Sequence, residues 1–431
     1  MIAKTRAIKN LKNFTDSMPT VRYVEPEYVY LAVQNARCAT GDILVNKGDY
    51  VKIGDKIALR HGPFFEQPVH ATVSGTVEDI VKKYHRSGKQ VDFIKIKNDK
   101  TDTFSDSCKE RTDEEIEKLT LEEFTEILKE EASVGLGGSS FPTYIKFQTK
   151  DPIDTICINA VECEPYLSAD HRLILEQTAN IFKGAKYVKN VFKAKRVLIC
   201  IKKKYEDLYN TLTAESKRFP ELGMEVSRVG NYYPQGWELE MLRTALHVDL
   251  PPGSIPAKSG IMVLNVSTVV GIYKAIKYNM PVVKRNFTLT GDGINIPQNI
   301  RVRVGTSLKE LIELCGGYKG DENKVIILGG PMMGANLLND DAIITKTCTS
   351  CIILNEKKWT EEPCVRCASC VYSCPCGLQP VMLMQAYKNK DKEALQMLGI
   401  KKCILCGMCS YTCTSKIHLT EIMRKAKKLV Q

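Results

Sequence analysis

Cys364-Val-Arg-Cys367-Ala-Ser-Cys370-Val-Tyr-Ser-Cys374-Pro375 is followed by a second copy of the same spacing, Cys403-Ile-Leu-Cys406-Gly-Met-Cys409-Ser-Tyr-Thr-Cys413-Thr414. Each copy reads C-x2-C-x2-C-x3-C. Thiols at every third residue, carried on short loops, point at one centre. This is the run that holds 4Fe–4S clusters, with the fourth cysteine ligating the other cluster. The spacing therefore assigns Cys364, Cys367, Cys370 and Cys413 to one cluster, and Cys403, Cys406, Cys409 and Cys374 to the second. Structural zinc favours two separated Cys/His pairs instead. Disulfides need an oxidising compartment. The expectation is a C-terminal domain that moves electrons one at a time.

Outward from this stretch, composition bounds the rest. A chain of 431 residues, 44% hydrophobic, is long enough for roughly three globular domains. No apolar run approaches the roughly 18–20 residues of a membrane span. The start, Met1-Ile-Ala-Lys-Thr-Arg6, lacks the apolar core of a signal peptide, so a cytoplasmic protein without direct membrane insertion is expected. Of 17 cysteines, nine lie outside the tandem motif and are scattered like free thiols in a reducing cytosol. Cys348 and Cys351 form a lone C-x2-C pair, a weak metal or redox signal. So many thiols beside low-potential clusters suit an anaerobic host. Net charge is +11, and residues 357–431 carry 13 Lys or Arg against 5 Asp or Glu. The tail Arg424, Lys425, Lys427, Lys428 reads as a solvated basic helix end. A basic surface also steers acidic partners such as ferredoxins. Nucleic acid is not expected, because no aromatics interleave with the basic residues.

Residues 1–100 read as short strands with turn glycines. Gly41 to Ile57 and Gln67 to Val77 resemble the two halves of a barrel-sandwich hybrid, with no lysine at the hairpin near Gly62-Pro-Phe-Phe-Glu66 to carry a modification. The polar stretch 101–120 reads as a linker. From Leu121 the texture is α/β. A helix over Leu121–Ala132 precedes strands near 154–160, 196–201, 223–229 and 261–266, and a further helix starts near Glu238. Alternating strands and helices predict a parallel, covered sheet. Residues 286–356 return to short strands with a helix at Ser307–Cys315, an order like a β-grasp. Residues 357–431 are the cluster domain, with a helix between the motifs.

The segment Gly135-Leu-Gly137-Gly138-Ser-Ser-Phe141-Pro-Thr-Tyr-Ile-Lys146 is a Gly-rich loop entering a helix. Glycine lets backbone amides approach a phosphate, a helix start adds its positive end, and Lys146 at that start would neutralise charge. Asn159-Ala-Val-Glu162-Cys163-Glu164-Pro165 follows a predicted strand directly, where α/β sheets bind ligands. Alone, the Gly-rich loop reads more simply as a turn and the acidic segment equally as a solvated loop; together they point to one site.

These segments resemble the RnfC family, the soluble flavin and iron–sulfur subunit of Rnf electron-transport complexes. The match covers nearly the whole chain: Gly137 to Thr143, Asn159 to Pro165, Tyr233-Pro-Gln-Gly236, Gly329 to Gly334, and both cysteine runs. The core is also similar to the FMN-binding subunit of complex I. The resemblance implies four units: a barrel-sandwich hybrid over 1–100, a Rossmann-like FMN/NADH domain over 115–285, a β-grasp, SLBB-like domain over 286–356, and a two-cluster ferredoxin-like helical domain over 357–431. It implies that Gly135, Gly137, Gly138 and Lys146 bind the FMN phosphate side, that Asn159, Glu162 and Cys163 line the ribityl and ring, and that Asn265 and Thr268 complete the pocket. Phe141, Glu164 and Glu238 would face NADH. The implied function is an ion-translocating complex's oxidoreductase subunit, passing electrons between NADH and ferredoxin through FMN and two 4Fe–4S clusters. It would sit peripherally on the cytoplasmic face of the membrane through other Rnf-type subunits.

The chain departs from the family pattern at Ser139-Ser140, where Ala-Gly is common, at Trp237 in place of a glycine, at Asn35-Ala-Arg-Cys-Ala-Thr-Gly41 in place of Gln-His-Ile-Gly-Ala-Pro, and at Thr414 in place of a proline. A divergent member or paralogue is implied, and Trp237 would narrow the nicotinamide slot or stack on a ring. Two other functions compete: a stand-alone RnfC-like carrier feeding a soluble cobalamin or amino-acid reductase, and a non-enzymatic zinc scaffold.

Overall fold

The structure, a computed structural model, describes residues 7–22, 25–85 and 88–430. Its centre is a four-stranded parallel sheet ordered Glu225–Val229, Arg196–Lys202, Thr155–Asn159, Ile261–Asn265. Strands covered on both faces read as near-continuous apolar runs, as Ile156-Cys-Ile158 and Val197 to Ile201 do, all fully buried. In chain order this is 3-2-1-4. The chain turns back at the junction between Thr155–Asn159 and Ile261–Asn265, and a crevice opens there at the strands' C-terminal ends. Asn159 and Asn265 face each other in register at that opening. One side of the sheet is covered by the helices Thr178–Phe192 and Val266–Tyr278, which approach closely because Gly184 has no side chain. A Cβ there would lie 2.5 Å from the Val269 carbonyl oxygen.

Ahead of this sheet the barrel is built from two sheets. One is Tyr28–Ala32, Gln90–Asn98, Gly75–Tyr84, Tyr50–Val51, and the other is Thr40–Ile43, Lys56–His61, Glu66–His70. They close over Val29, Ile57, Ile94 and Ile96. Residues 101–120 are not the free linker expected. The Ile53 amide donates to the Thr103 carbonyl at 2.9 Å, and the Ser105 amide returns to Ile53 at 2.8 Å. The following polar residues are used as capping boxes. Thr112 with Glu115 opens the helix Asp113–Glu117, and Thr120 with Glu123 opens Leu121–Glu130. Polarity here marks helix starts, not solvation.

The third sheet is ordered Val21–Arg22, Gln298–Arg303, Lys284–Thr290, Ser350–Asn355, Lys324–Leu328, Ala335–Leu337, with the helix Leu308–Leu314 packed on its core. Its edge strand comes from the N-terminus, so residues 7–22 leave the barrel and run over the central and third units. The Thr15 hydroxyl meets the Ser168 hydroxyl at 2.6 Å, and the Asn299 amide donates to the Thr15 carbonyl at 2.7 Å. Arg303, almost fully buried, ties barrel to sheet through Glu25 at 2.7 Å, Asp102 at 2.6 Å and the Thr72 carbonyl at 2.9 Å.

The C-terminal unit repeats itself. Each cysteine run makes a one-turn helix, Ser369–Tyr372 or Met408–Tyr411, and leads to a longer one, Pro380–Lys388 or Leu419–Leu429, which pack together. Where one helix was expected between the motifs there are two. Lys390 takes φ +54°, and Asp391 then caps Lys392–Met397 by accepting from the Ala394 amide at 2.9 Å.

Candidate functional site

A cleft of about 630 Å³ opens at the C-terminal ends of the central strands. Its walls contain all twelve residues singled out for cofactor or nucleotide binding: Gly135, Gly137, Gly138, Phe141, Lys146, Asn159, Glu162, Cys163, Glu164, Glu238, Asn265 and Thr268. The Gly-rich loop closes on itself through Gly135 N to Phe141 O at 2.8 Å, and is pinned to the helix start by Leu136 N to the Thr268 hydroxyl at 2.9 Å. Gly137 is needed for space, since a Cβ would come 2.9 Å from the Asn265 amide. Ser140 sits at φ +54°, the left-handed region that glycine takes freely, at a cost of about 1–2 kcal/mol for an L-residue. The expectation for Lys146 needs correction. The helix is only Thr143–Phe147, Lys146 lies in its last turn, and its ammonium donates to the Val263 carbonyl at 3.2 Å. Pro142 and the short loop shift the helix start upstream. The lysine thus reaches the cleft from the helix's far end, and a five-residue helix adds little dipole.

The acidic turn is held open by strain and pairing. Glu162 has φ +38°. Its carboxylate accepts from the Asp170 amide at 2.9 Å and from Lys12 at 3.1 Å, and Lys12 also reaches the Glu162 carbonyl at 2.8 Å. Asn159 donates to the Gly236 carbonyl at 2.9 Å. Asp170 accepts from Asn265 at 2.8 Å and from Ser267 at 2.5 Å, while burial, then the Glu162 charge, pushes its pKa up. One oxygen of Glu164 accepts from the Met332 amide at 3.0 Å, and the other, Oε1, has no partner. Burial pushes this carboxyl up to about 7. Gly330 makes room for it, since a Cβ there would overlap the carboxylate at 2.2 Å. Trp237 lines the cleft at the start of the helix Glu238–Ala245. Lys202, at the end of the second strand, is 4% exposed, and burial followed by repulsion from Lys12 lowers it to about 7.

Sequence reasoning missed Lys12, Asp170 and Lys202. Lys12 bonds a residue 150 positions away and carries no local signal. Lys202 had one: a lysine ending an apolar strand run.

The eight motif cysteines gather into two sets of four. Cys374, Cys403, Cys406 and Cys409 surround one void, and Cys364, Cys367, Cys370 and Cys413 another. In each set the fourth sulfur accepts a backbone amide at 3.4 Å, from Leu378 to Cys374 and from Ile417 to Cys413. No group of three or more His, Cys, Asp or Glu among the described residues is arranged to hold a single ion. Four thiols around a void suit a multi-atom cluster better than zinc. Of the lone pair, Cys348 lines the cleft and Cys351 is buried in the strand Ser350–Asn355. The first set borders the cleft. Ile404 is in the cleft wall, and the Tyr233 hydroxyl donates to the Cys406 carbonyl at 2.8 Å. The other set has Cys364 and Cys367 exposed, and hydrogen bonds led by Ser369 lower the Cys367 thiol to about 7.

A flavin mononucleotide fits what the cleft offers: a glycine cradle that a Cβ would fill, a lysine, paired Asn side chains and an unpartnered carboxylate oxygen. Known proteins match in the same order along the chain. Residues 6–101 match the RnfC barrel-sandwich hybrid domain, 128–274 the Nuo51 FMN-binding domain and 286–336 the SLBB domain. A component of the Na(+)-translocating ferredoxin:NAD(+) oxidoreductase complex of Acetobacterium woodii is 31% identical over 379 residues, 87% of this chain and 84% of that protein. The corresponding component of the proton-translocating ferredoxin:NAD(+) oxidoreductase complex of Clostridium ljungdahlii is 31% identical over 377 residues, 86% and 81% of the two. Among solved structures, a chain of an NAD+-reducing [NiFe]-hydrogenase in the H2-reduced state superposes with TM-score 0.52 at 15% identity, over 72% of this chain and 63% of that one. The fold is thus multidomain α/β, with barrel-sandwich hybrid, FMN-binding and SLBB domains.

Proposed function

This chain belongs to the RnfC family, and we propose that it is the electron-transfer subunit of an ion-translocating ferredoxin:NAD oxidoreductase complex. It would pass electrons between NADH and ferredoxin. The observation that carries this reading is the shared wall between the cleft and one thiol set, at Ile404 and the Tyr233–Cys406 contact. Bound FMN would supply the exchange between a hydride and single electrons, and the two cysteine sets would each hold a 4Fe–4S cluster suited to single-electron transfer.

The residues divide the work. Gly135, Gly137 and Gly138 leave room for the phosphate side, and Lys146 supplies its counter-charge. Asn159, Glu162, Cys163, Asn265 and Thr268 line the ribityl and ring. Phe141, Glu164 and Glu238 face the nucleotide, with Trp237 narrowing that side. Lys12 neutralises Glu162, so the buried acid stays compatible with an anionic phosphate nearby. Cys403, Cys406, Cys409 and Cys374 hold the cluster nearer the cleft. Cys364, Cys367, Cys370 and Cys413 would hold the distal one, where the exposed Cys364 and Cys367 leave it accessible to an acceptor. The division into units at 1–100, 115–285, 286–356 and 357–431 is part of the same reading, with residues 7–22 crossing between units.

The relatives named above are parts of complexes, which favours complex membership over a stand-alone carrier. Among the described residues no helix is long and apolar enough to cross a membrane. Attachment to the membrane's cytoplasmic face would then come through partner subunits. The test is affinity purification of the native chain from gently solubilised membranes. Co-purifying membrane subunits and NADH-dependent reduction of an artificial acceptor are expected. Activity recovered only as a free soluble protein would contradict the complex.

A further inference from the structure

A second cavity, of about 540 Å³, lies where the barrel, the Gly-rich loop and the third sheet meet. Arg37, Arg60, Lys346 and His70 are in its walls, and among the described residues no Asp or Glu is. Arg60 donates to the Ala32 carbonyl and, at 3.2 Å, to Gln67, but its Nε has no partner. His70 is 7% exposed, and its Nδ1 has no partner. The Lys346 ammonium donates to the Ala132 carbonyl at 2.7 Å. Arg37 reaches across from the barrel to the Ser139 carbonyl at 2.8 Å, with its guanidinium 5.6 Å from the Phe141 ring centre.

Gathering basic side chains around a cavity with no carboxylate in its walls is costly, because desolvation is incompletely offset by pairing. Burial lowers Arg60 to about 10 and Lys346 to about 7, and burial with the Lys346 charge leads the drop of His70 to about 3. One carboxylate, Glu131, counteracts Lys346 without entering the walls. Paired surface charges would have served a purely structural junction more cheaply.

We propose that this cavity binds the phosphate group of a small-molecule anion, with Arg60 and Lys346 as donors. Guanidinium forks match phosphate geometry. Gly138, Ser139 and Thr347 belong to the walls of both cavities. The phosphate therefore comes either from the 2′-phosphate end of a dinucleotide whose other end lies in the cleft, or from a separate phosphorylated molecule. Only the first source rests on the function proposed above.

The test is calorimetric titration of pyrophosphate into the anaerobically purified, cofactor-loaded full chain. One saturable site is expected, weakened at least about tenfold by Arg60→Met and by Lys346→Met, with flavin content and melting temperature as folding controls. Should Arg60→Met fail to fold, Lys346→Met with Arg37→Met carries the comparison. Displacement of pyrophosphate by NADPH assigns the phosphate to the dinucleotide, and additive binding assigns it to a separate ligand. No saturable binding by the wild type, or equal affinity in the folded variants, overturns the proposal. Loss of flavin from the wild type would instead count against the cleft's assignment.

Discussion

Glu164 is the residue whose chemistry is most exposed to a direct test. Its folded pKa of about 7 lies above the ordinary 4.5 because burial disfavours the charge. A raised carboxyl contributes stability below its unfolded pKa, and that contribution is lost as pH rises through the folded value. In flavin-free protein, Glu164→Gln should therefore melt above wild type at about pH 8, with the gap closing towards about pH 5. A gap that does not change with pH would refute the burial argument. Lys146 tests the flavin side. Reversing its charge in Lys146→Glu should weaken FMN at least about tenfold, read as flavin per protein after gel filtration. Retention of stoichiometric FMN would defeat the assignment. These residues were legible in the sequence because they lie beside glycines and strand ends, where backbone chemistry advertises a ligand. Lys12 was not, because its role exists only once residues 7–22 cross to Glu162.

At the scale of elements, the strands of the central sheet declared themselves as apolar runs, and the helix from Leu121 followed from its periodicity. What misled was polarity without context: 101–120 looked like linker because its threonines and glutamates were read as solvated, when they cap helices. Length was equally hard to read. The Gly-rich loop ends at Pro142, and the helix behind it, Thr143–Phe147, spans only five residues, so Lys146 falls in its last turn. Helix packing offers its own test at Gly184. A methyl there would press on the Val269 carbonyl at 2.5 Å, so Gly184→Ala should lower stability by about 1–3 kcal/mol in a denaturant melt. A neutral or stabilising substitution would show that the two helices can part without cost.

Across the whole molecule, function depends on units that are distant in sequence. The cleft borrows Met333 and Cys348 from the third unit and Ile404 from the last. Periodicity and motif spacing cannot foresee such borrowing, although the order of the units could be read. The two thiol sets interlock in the same way: each run's fourth cysteine lies with the other run's first three. Cys374→Ala should therefore damage the cluster held by Cys403, Cys406 and Cys409 and spare the other. Low-temperature electron paramagnetic resonance of the reduced protein would resolve this. A signal lost instead from the Cys364 set would contradict the crossed ligation.

Whether a two-electron donor at the cleft feeds thiol-held clusters across the Tyr233–Cys406 wall can be read from one titration. The chain is purified without oxygen, its FMN, iron and sulfide are measured, and NADH is added while the visible spectrum is recorded. One FMN with about eight iron atoms is expected, and the flavin and iron–sulfur bands should bleach together. Bound FMN that NADH leaves oxidised, or flavin that bleaches while the iron–sulfur bands stay unchanged, would contradict this electron path.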